Sequence, residues 1–358
     1  MPEEHSCIYV QTLEEAQDAV QELKKEAALA IDLECENNLH HYGMYISLVQ
    51  VATREKQWVF DIIALQTLNG LQDILESDTI KKVFHDVSFD LRILSHEFDC
   101  HPKYIRDTKL ASTFLQKDNV GLKELMKEYF GLEKKKKYQM ADWTARPIKP
   151  GMLAYAADDT THLLELHDKL SKQLKDAGHY AWYKEECQDL EHREWEQKIP
   201  SFEDVKGFKQ LSDKQKTIVE YMYALREKFA QKVDKPPHFI IGNRKLIEIA
   251  KKQPKAAGEW KRMQGVHPIC KRQAERCAKL VRSAMHEPKT YEREKPKRYS
   301  LAQRNHFAKL NRAREQAAKT NKLLPHVILS KDQMQHIVLE HNFECLRSWQ
   351  EKILADYL

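Results

Sequence analysis

Asp32 and Glu34 stand one residue apart in the run Ala28-Leu29-Ala30-Ile31-Asp32-Leu33-Glu34. An apolar run of this length reads as a buried strand, and strand side chains alternate between faces. Leu29, Ile31 and Leu33 take one face; Ala30, Asp32 and Glu34 take the other. Burying unpaired carboxylates costs roughly several kcal/mol, so two of them on one apolar face call for a cation. An oxygen-only donor set suits Mg²⁺ or Mn²⁺. The plain alternative is a strand end carrying two solvated acids.

Two further acids sit on helix faces that should be buried. A helix with the stripe Val87, Leu91, Leu94 and Phe98 places Asp90 at the stripe's edge. The alternative there is a boundary acid favoured by the helix dipole. A long helix expected over 150–176 has the stripe Met152, Ala156, Leu163, Leu166 and Leu170. Asp159 falls within that stripe and Tyr155 lies one turn below it, whereas Asp158 points roughly 100° away. Packed helices rarely hold a carboxylate mid-stripe without a partner. Asp32, Glu34, Asp90 and Asp159 together form a ligand set for two divalent ions about 3.5–4 Å apart, the arrangement used in phosphodiester hydrolysis.

The elements that must position these residues alternate along the first half. Thr12 and Glu15 form a capping box that opens a helix through about Lys25. Strands are expected at 8–10, 28–35, 45–53 and 57–62, with Arg54-Glu55-Lys56 as a polar hairpin turn. A helix over 64–77, a strand over 80–85, the Asp90 helix and a strand over 104–108 follow, with Asp107 or Thr108 capping a further helix. A helix over 121–130 comes next, and the four-lysine run Lys134 to Lys137 reads as a solvated loop or a phosphate contact. A three-strand meander followed by helix–strand alternation predicts an α/β fold, a mixed sheet flanked by helices.

The 358 residues carry a formal charge of +5 that hides an asymmetry. Residues 1–200 hold 25 Lys+Arg against 36 Asp+Glu, net −11; residues 201–358 hold 34 against 18, net +16. An acidic half joined to a basic half suggests that the second half grips a polyanion. Seven cysteines with no CxxC pair suggest a reducing compartment. The acidic start Met1-Pro2-Glu3-Glu4 and the lack of a long apolar run predict neither a secretory signal nor a membrane span, hence a cytoplasmic protein.

Three ordered motifs now stand out: Asp32-x-Glu34, Asp90 after Phe84-His85, and Tyr155-x-x-x-Asp159. Residues 7 to about 176 thereby resemble the DEDD exonucleases of the ribonuclease H-like fold, in the branch with a tyrosine in the third motif. Asp142-Trp143-Thr144-Ala145-Arg146-Pro147 is similar to ribonuclease D in particular. One departure is Asp158, where alanine is usual before the last aspartate; helix phase assigns the site to Asp159. The resemblance implies 3′→5′ hydrolysis of RNA to nucleoside monophosphates with two divalent cations, Mg²⁺ or Mn²⁺. It implies that Asp32 bridges both ions, that Glu34 and Asp159 complete the site holding the attacking water, and that Asp90 serves the second ion. Tyr155 would orient the water, since a phenol with an ordinary pKa of about 10 is a poor base. His85 would touch the terminal nucleotide or serve as a core histidine.

The basic half reads as all-helical. Residues 203–286, with the turn Asp234-Lys235-Pro236-Pro237 ahead of Leu246-Ile247-Glu248-Ile249-Ala250, are similar to the helicase-and-ribonuclease-D C-terminal (HRDC) domain. A linker over about 287–297 leads to residues 298–358, which look like a more divergent copy. The expected organisation is therefore an exonuclease domain with linker over 1–200 and two helical domains over 203–286 and 298–358. The expected partner is RNA, tRNA precursors with a free 3′ end being what the family implies, with no membrane and a monomeric chain. Two other readings are a DNA exonuclease like the one fused to the Werner helicase and a non-catalytic RNA-binding adaptor. No GxxxxGK[ST] loop supports the helicase association, and the four intact acids argue against the adaptor. A relative of the nuclear exosome's tyrosine-type exonuclease is a further reading, one for which long flanking extensions are expected.

Overall fold

A computed structural model describes residues 7–117, 119–133, 137–195, 199–292 and 299–357. Six strands form one sheet: β1 (Cys7–Val10), β2 (Ala28–Asn37), β3 (Met44–Ala52), β4 (Gln57–Asp61), β5 (Lys81–Phe84) and β6 (Ile105–Asp107). Their order is β1-β4-β3-β2-β5-β6. Strand β3 runs antiparallel to β4, whereas β1 on β4, β5 on β2 and β6 on β5 are parallel pairs. This is the mixed sheet with flanking helices that the sequence predicts. Its central strands are covered on both faces: Leu29, Ala30, Ile31, Leu48, Val49 and Val83 are all 0–1% exposed. Against such a background a carboxylate on β2 must be held by something.

Local signals act as expected at several joints. Thr12 and Glu15 close a reciprocal cap on the Leu13–Leu23 helix. Asp107 caps the Thr108–Phe114 helix by accepting the N–H groups of Lys109 and Leu110.

Two helices differ from expectation. The helix expected over 64–77 is two short ones, Ile62–Leu65 and Leu71–Glu76. The first is stopped by left-handed Gln66, and Asn69 is left-handed as well. The helix expected over 150–176 is broken at His162 into Pro150–Thr161 and Leu163–Asp176. The hydroxyls of Thr160 and Thr161 both donate to the Ala157 carbonyl, a back-bonding that disfavours continuation of a straight helix.

The chain divides into two compact units: the described residues within Met1–Cys35, Ile46–Glu196 and Lys297–Leu358, and those within Glu36–Tyr45 and Gln197–Pro296. Within the first unit, Leu310, Ala313, Ile328, Ile337, Val338 and Trp349 share one apolar core with Phe114, Leu166, Leu170, Leu174 and Tyr183. The indole of Trp349 packs edge-on to Phe114 at 5.6 Å and stacks on Trp182 at 5.4 Å. Its Nε1 donates to Glu186 at 3.1 Å. The second unit has its own core, built on Met222, Phe229, Ile249, Trp260 and Val281.

The two helical segments repeat one pattern. Helices of 21, 4 and 10 residues occur as Asp213–Val233, Pro237–Ile240 and Asn243–Lys252, and again as Leu301–Asn321, Pro325–Ile328 and Lys331–Glu340. Each long helix ends on a left-handed residue, Asp234 or Lys322, and each short one begins with proline. Arg226 donates to the carbonyl of Ile241, and Arg314 to that of Leu329, fifteen residues on in both cases. Among the described residues no helix is long and apolar enough to cross a membrane. Of the lysine run, Lys134–Lys136 lie outside the described residues, as does part of the expected 287–297 linker.

Candidate active site

Three carboxylates from two elements meet on the sheet. Strand β2 supplies Asp32 and Glu34, and the Pro150–Thr161 helix supplies Asp159; their ligand oxygens all lie within 4.8 Å of one another. All three are partly buried. Asp90, on the Ser88–Phe98 helix, is 8% exposed and stands outside that 4.8 Å group. It is close enough that the charge of Asp32 still raises its pKa. Asp158 is exposed, as helix phase predicts.

The acids of the cluster repel one another. Burial, then repulsion from Asp32, Asp159 and Asp90, pushes the Glu34 carboxyl well above the usual carboxylate range. Burial, then Asp32 and Asp107, does the same to Asp90. Burial, then Asp90, Glu34 and Asp32, push the Cys35 thiol up, so it is not a thiolate ligand in waiting. Glu34 and Asp90, which resist ionising beside Asp32 and Asp159 in a set whose only donor is oxygen, fit a hard divalent cation. The donor set therefore passes the chemical test for such a metal, whose charge would reverse the direction of these shifts.

Asp90 and Tyr155 are aimed by identifiable contacts. Asp90 enters its helix after a sharp turn in which Asp86 is left-handed, with φ of 67°. The carboxylate of Asp107 accepts the N–H groups of Asp86 at 3.1 Å and Val87 at 2.9 Å, and so fixes that turn. Asp107 is thus a positioning group as well as a helix cap, which sequence reading catches only in the second role. Tyr155 is half-buried, and burial, then Asp159, Glu34 and Asp32, push its hydroxyl up to about 12. Its ring meets Tyr138 edge-on at 5.7 Å and Trp143 at 6.1 Å. These two aromatic neighbours were not legible as such; loop residues carry no periodicity that would place them.

His85 is not part of the acid group. Its Nδ1 lies 2.9 Å from Thr108 Oγ1, and that hydroxyl donates to the Phe84 carbonyl. The Thr108 proton is therefore spent, so Nδ1 carries the ring proton and Nε2 is the acceptor in the neutral ring.

Comparison with known proteins bears on this arrangement. Residues 7–175 match the 3′-5′ exonuclease family, and residues 215–279 match the HRDC domain. The chain is 28% identical over 269 residues to exosome complex component 10 of Homo sapiens, covering 71% of this chain and 30% of that protein. It is 26% identical over 235 residues to ribonuclease D of Pseudomonas paraeruginosa, covering 63% of this chain and 61% of that one. The crystal structure of Escherichia coli RNase D superposes with a TM-score of 0.74 at 21% identity, covering 98% of this chain and 97% of that one, a likeness of fold. The chain spans 30–40% of the length of the first curated relatives it matches.

Proposed function

From a chain that is ribonuclease D-like, a 3′-5′ exonuclease domain followed by an HRDC domain, we propose a hydrolase that removes nucleoside 5′-monophosphates from the 3′ end of RNA. The observation that carries this reading is the meeting of Asp32, Glu34 and Asp159 within 4.8 Å, with Asp90 and Tyr155 in their field. Asp32, central to the set, would contact both of two divalent cations, Mg²⁺ or Mn²⁺. Glu34 and Asp159 would hold one of them and Asp90 the other. Bound there, the cations supply a nucleophile at neutral pH and neutralise charge on the phosphodiester.

The remaining chemistry falls to this chain's own groups. The Tyr155 hydroxyl stays protonated at neutral pH, being pushed up to about 12, so it orients the attacking water rather than deprotonating it. Trp143 and Tyr138 hold its ring. His85, its Nδ1 turned toward Thr108, would meet the ribose hydroxyls of the last nucleotide. The net +16 of residues 201–358 supports RNA as the polyanion. The repeated helical pattern supports a second HRDC-like copy over 298–358. Precursor tRNAs with a free 3′ end are the proposed substrate class. The chain is taken to act as a monomer, and its seven unpaired cysteines are in keeping with a reducing cytoplasm.

The test is degradation of 5′-end-labelled RNA and DNA of one sequence with Mg²⁺, Mn²⁺ or EDTA. The expected result is a one-nucleotide ladder on RNA, abolished by EDTA and cut at least ~10³-fold by Asp32→Asn, about 4 kcal/mol of barrier. Faster shortening of DNA than RNA would replace the substrate assignment. Metal-independent cleavage, or full activity in Asp32→Asn, would overturn the site.

A further inference from the structure

Away from the acid cluster, the first unit has a concave surface enclosing ≈ 310 Å³ and lined by Lys81, His167, Asp168, Ser171, Lys172, Lys175 and Tyr180. We propose that this pocket is an anion site that takes a phosphate group.

Its charge is unusual for its surroundings. Residues 1–200 carry 36 acids against 25 bases, so a lysine there should readily find a carboxylate. Among the described residues, Lys81, Lys172 and Lys175 form no ion pair; the nearest relation is Lys175 over the Tyr180 ring at 5.0 Å. The one acid in the wall, Asp168, is already answered. Arg54 Nη2 lies 2.5 Å from its Oδ2, and His167 Nδ1 lies 3.6 Å from Oδ1. The pocket therefore presents three ammonium groups whose charge nothing in the wall cancels.

The floor is built rather than incidental. His167 is 3% exposed, and its Nε2 lies 3.1 Å from Ser171 Oγ. The pair links successive turns of the Leu163–Asp176 helix, from which Asp168, Lys172 and Lys175 project at intervals of four and three residues. Lys81 joins them from the start of β5, and Tyr180 from the start of the next helix. Three elements thus converge on one space of the size that ligand pockets have. Ammonium groups on flexible stems, with a hydroxyl beside them, are point-charge donors suited to a phosphate's oxygens.

The pocket is also separate from the acids. Lys81 pairs with Ala28 at the start of β2, and Asp32 and Glu34 lie four and six residues further along that strand. At about 3.3 Å per residue the offset is roughly 13–20 Å. Phosphates come from two sources here, a backbone phosphodiester of RNA or a free phosphate monoester, and the chemistry of recognition is shared.

The experiment is lysine acetylation footprinting by mass spectrometry on the full chain in EDTA, titrated with inorganic phosphate at constant ionic strength. EDTA silences the acid cluster, so the outcome is independent of the exonuclease reading. Lys81, Lys172 and Lys175 should lose reactivity together, with one midpoint that chloride does not reproduce. Lys172→Glu, at an exposed position, should shift that midpoint for Lys81 and Lys175 roughly tenfold or more. Lys172→Arg should restore it. A single-stranded RNA that protects the same lysines, in competition with phosphate, would assign the site to a backbone phosphate. Protection by adenosine monophosphate but not RNA would assign it to a free monoester. No common protection by phosphate, or protection unchanged in Lys172→Glu, would overturn the proposal.

Discussion

Arg146 grips Asp61 with two parallel hydrogen bonds, Nε to Oδ2 and Nη2 to Oδ1, both 2.6 Å long. Asp61 ends β4 and its side chain is 0% exposed; it also accepts from the Tyr9 hydroxyl and the Ala64 N–H. Burial pushes its pKa up, but the bonds from Arg146, Tyr9 and Ala64 outweigh it and hold the carboxylate below the usual range. Arg146 Nη1 donates to the Trp143 carbonyl at 2.7 Å, so the pair anchors the loop whose indole braces Tyr155.

Arg146→Lys should therefore weaken both fold and site. An ammonium cannot reproduce the fork. Losing one arm of a charge-assisted fork to a buried carboxylate costs roughly 1.5–3 kcal/mol. Urea unfolding should show a loss of that order, and turnover should fall in the fraction that remains folded. A variant with unchanged midpoint and rate would show that the loop is held by other contacts.

Tyr155→Phe deletes the hydroxyl and keeps the ring that Tyr138 and Trp143 enclose. The expectation is a lower kcat with RNA affinity preserved. Single-turnover kinetics beside equilibrium binding separate the two. Equal kcat in both proteins would make Tyr155 a packing residue only.

The raised carboxyls make a pH prediction for the metal-free protein. Glu34 has a folded pKa well above its ordinary value, so the folded state binds more protons than the unfolded state between the two values. Stability then falls as pH rises through that window. Glu34→Gln removes the penalty. In EDTA its melting temperature should exceed that of the unmodified protein at neutral pH and converge with it below the ordinary glutamate pKa of about 4.3. Added Mg²⁺ should reverse the ranking at neutral pH, since the divalent ion competes with protons for the same oxygens. A variant that is less stable than the parent at neutral pH without metal would contradict the acid-repulsion account.

The shared core of the first unit predicts that its last helices are part of the exonuclease fold. Trp349→Ala should cost about 3–5 kcal/mol, the usual range for a buried tryptophan, and the loss should appear in the unfolding of the exonuclease domain itself. Near-ultraviolet circular dichroism and exonuclease activity followed through one urea titration would report it. Activity that persists to the parent's midpoint while the tryptophan signal shifts would show the helices to be a separate folding unit.

Much of this arrangement was readable locally. Alternation along β2 put Asp32 and Glu34 on one face, and a 3.6-residue period put Tyr155 and Asp159 on one side of their helix. Caps at Thr12 and Asp107 announced helix starts, because a side-chain oxygen three residues from an N–H needs no tertiary context. Period and cap specify which way a side chain faces, however, not what it will meet. Only the tertiary structure decided that Trp143 would stand against Tyr155 and that Asp107 would also clamp the turn leading to Asp90. It also decided that Trp349 would stack on Trp182, 167 positions away. The break at His162 escaped for a related reason: the Thr160 and Thr161 hydroxyls both bond back to the Ala157 carbonyl, and a hydrophobic period does not register such side-chain bonds. Local sequence sets orientation through steric period, whereas partners are chosen by which apolar faces and charges must leave water together.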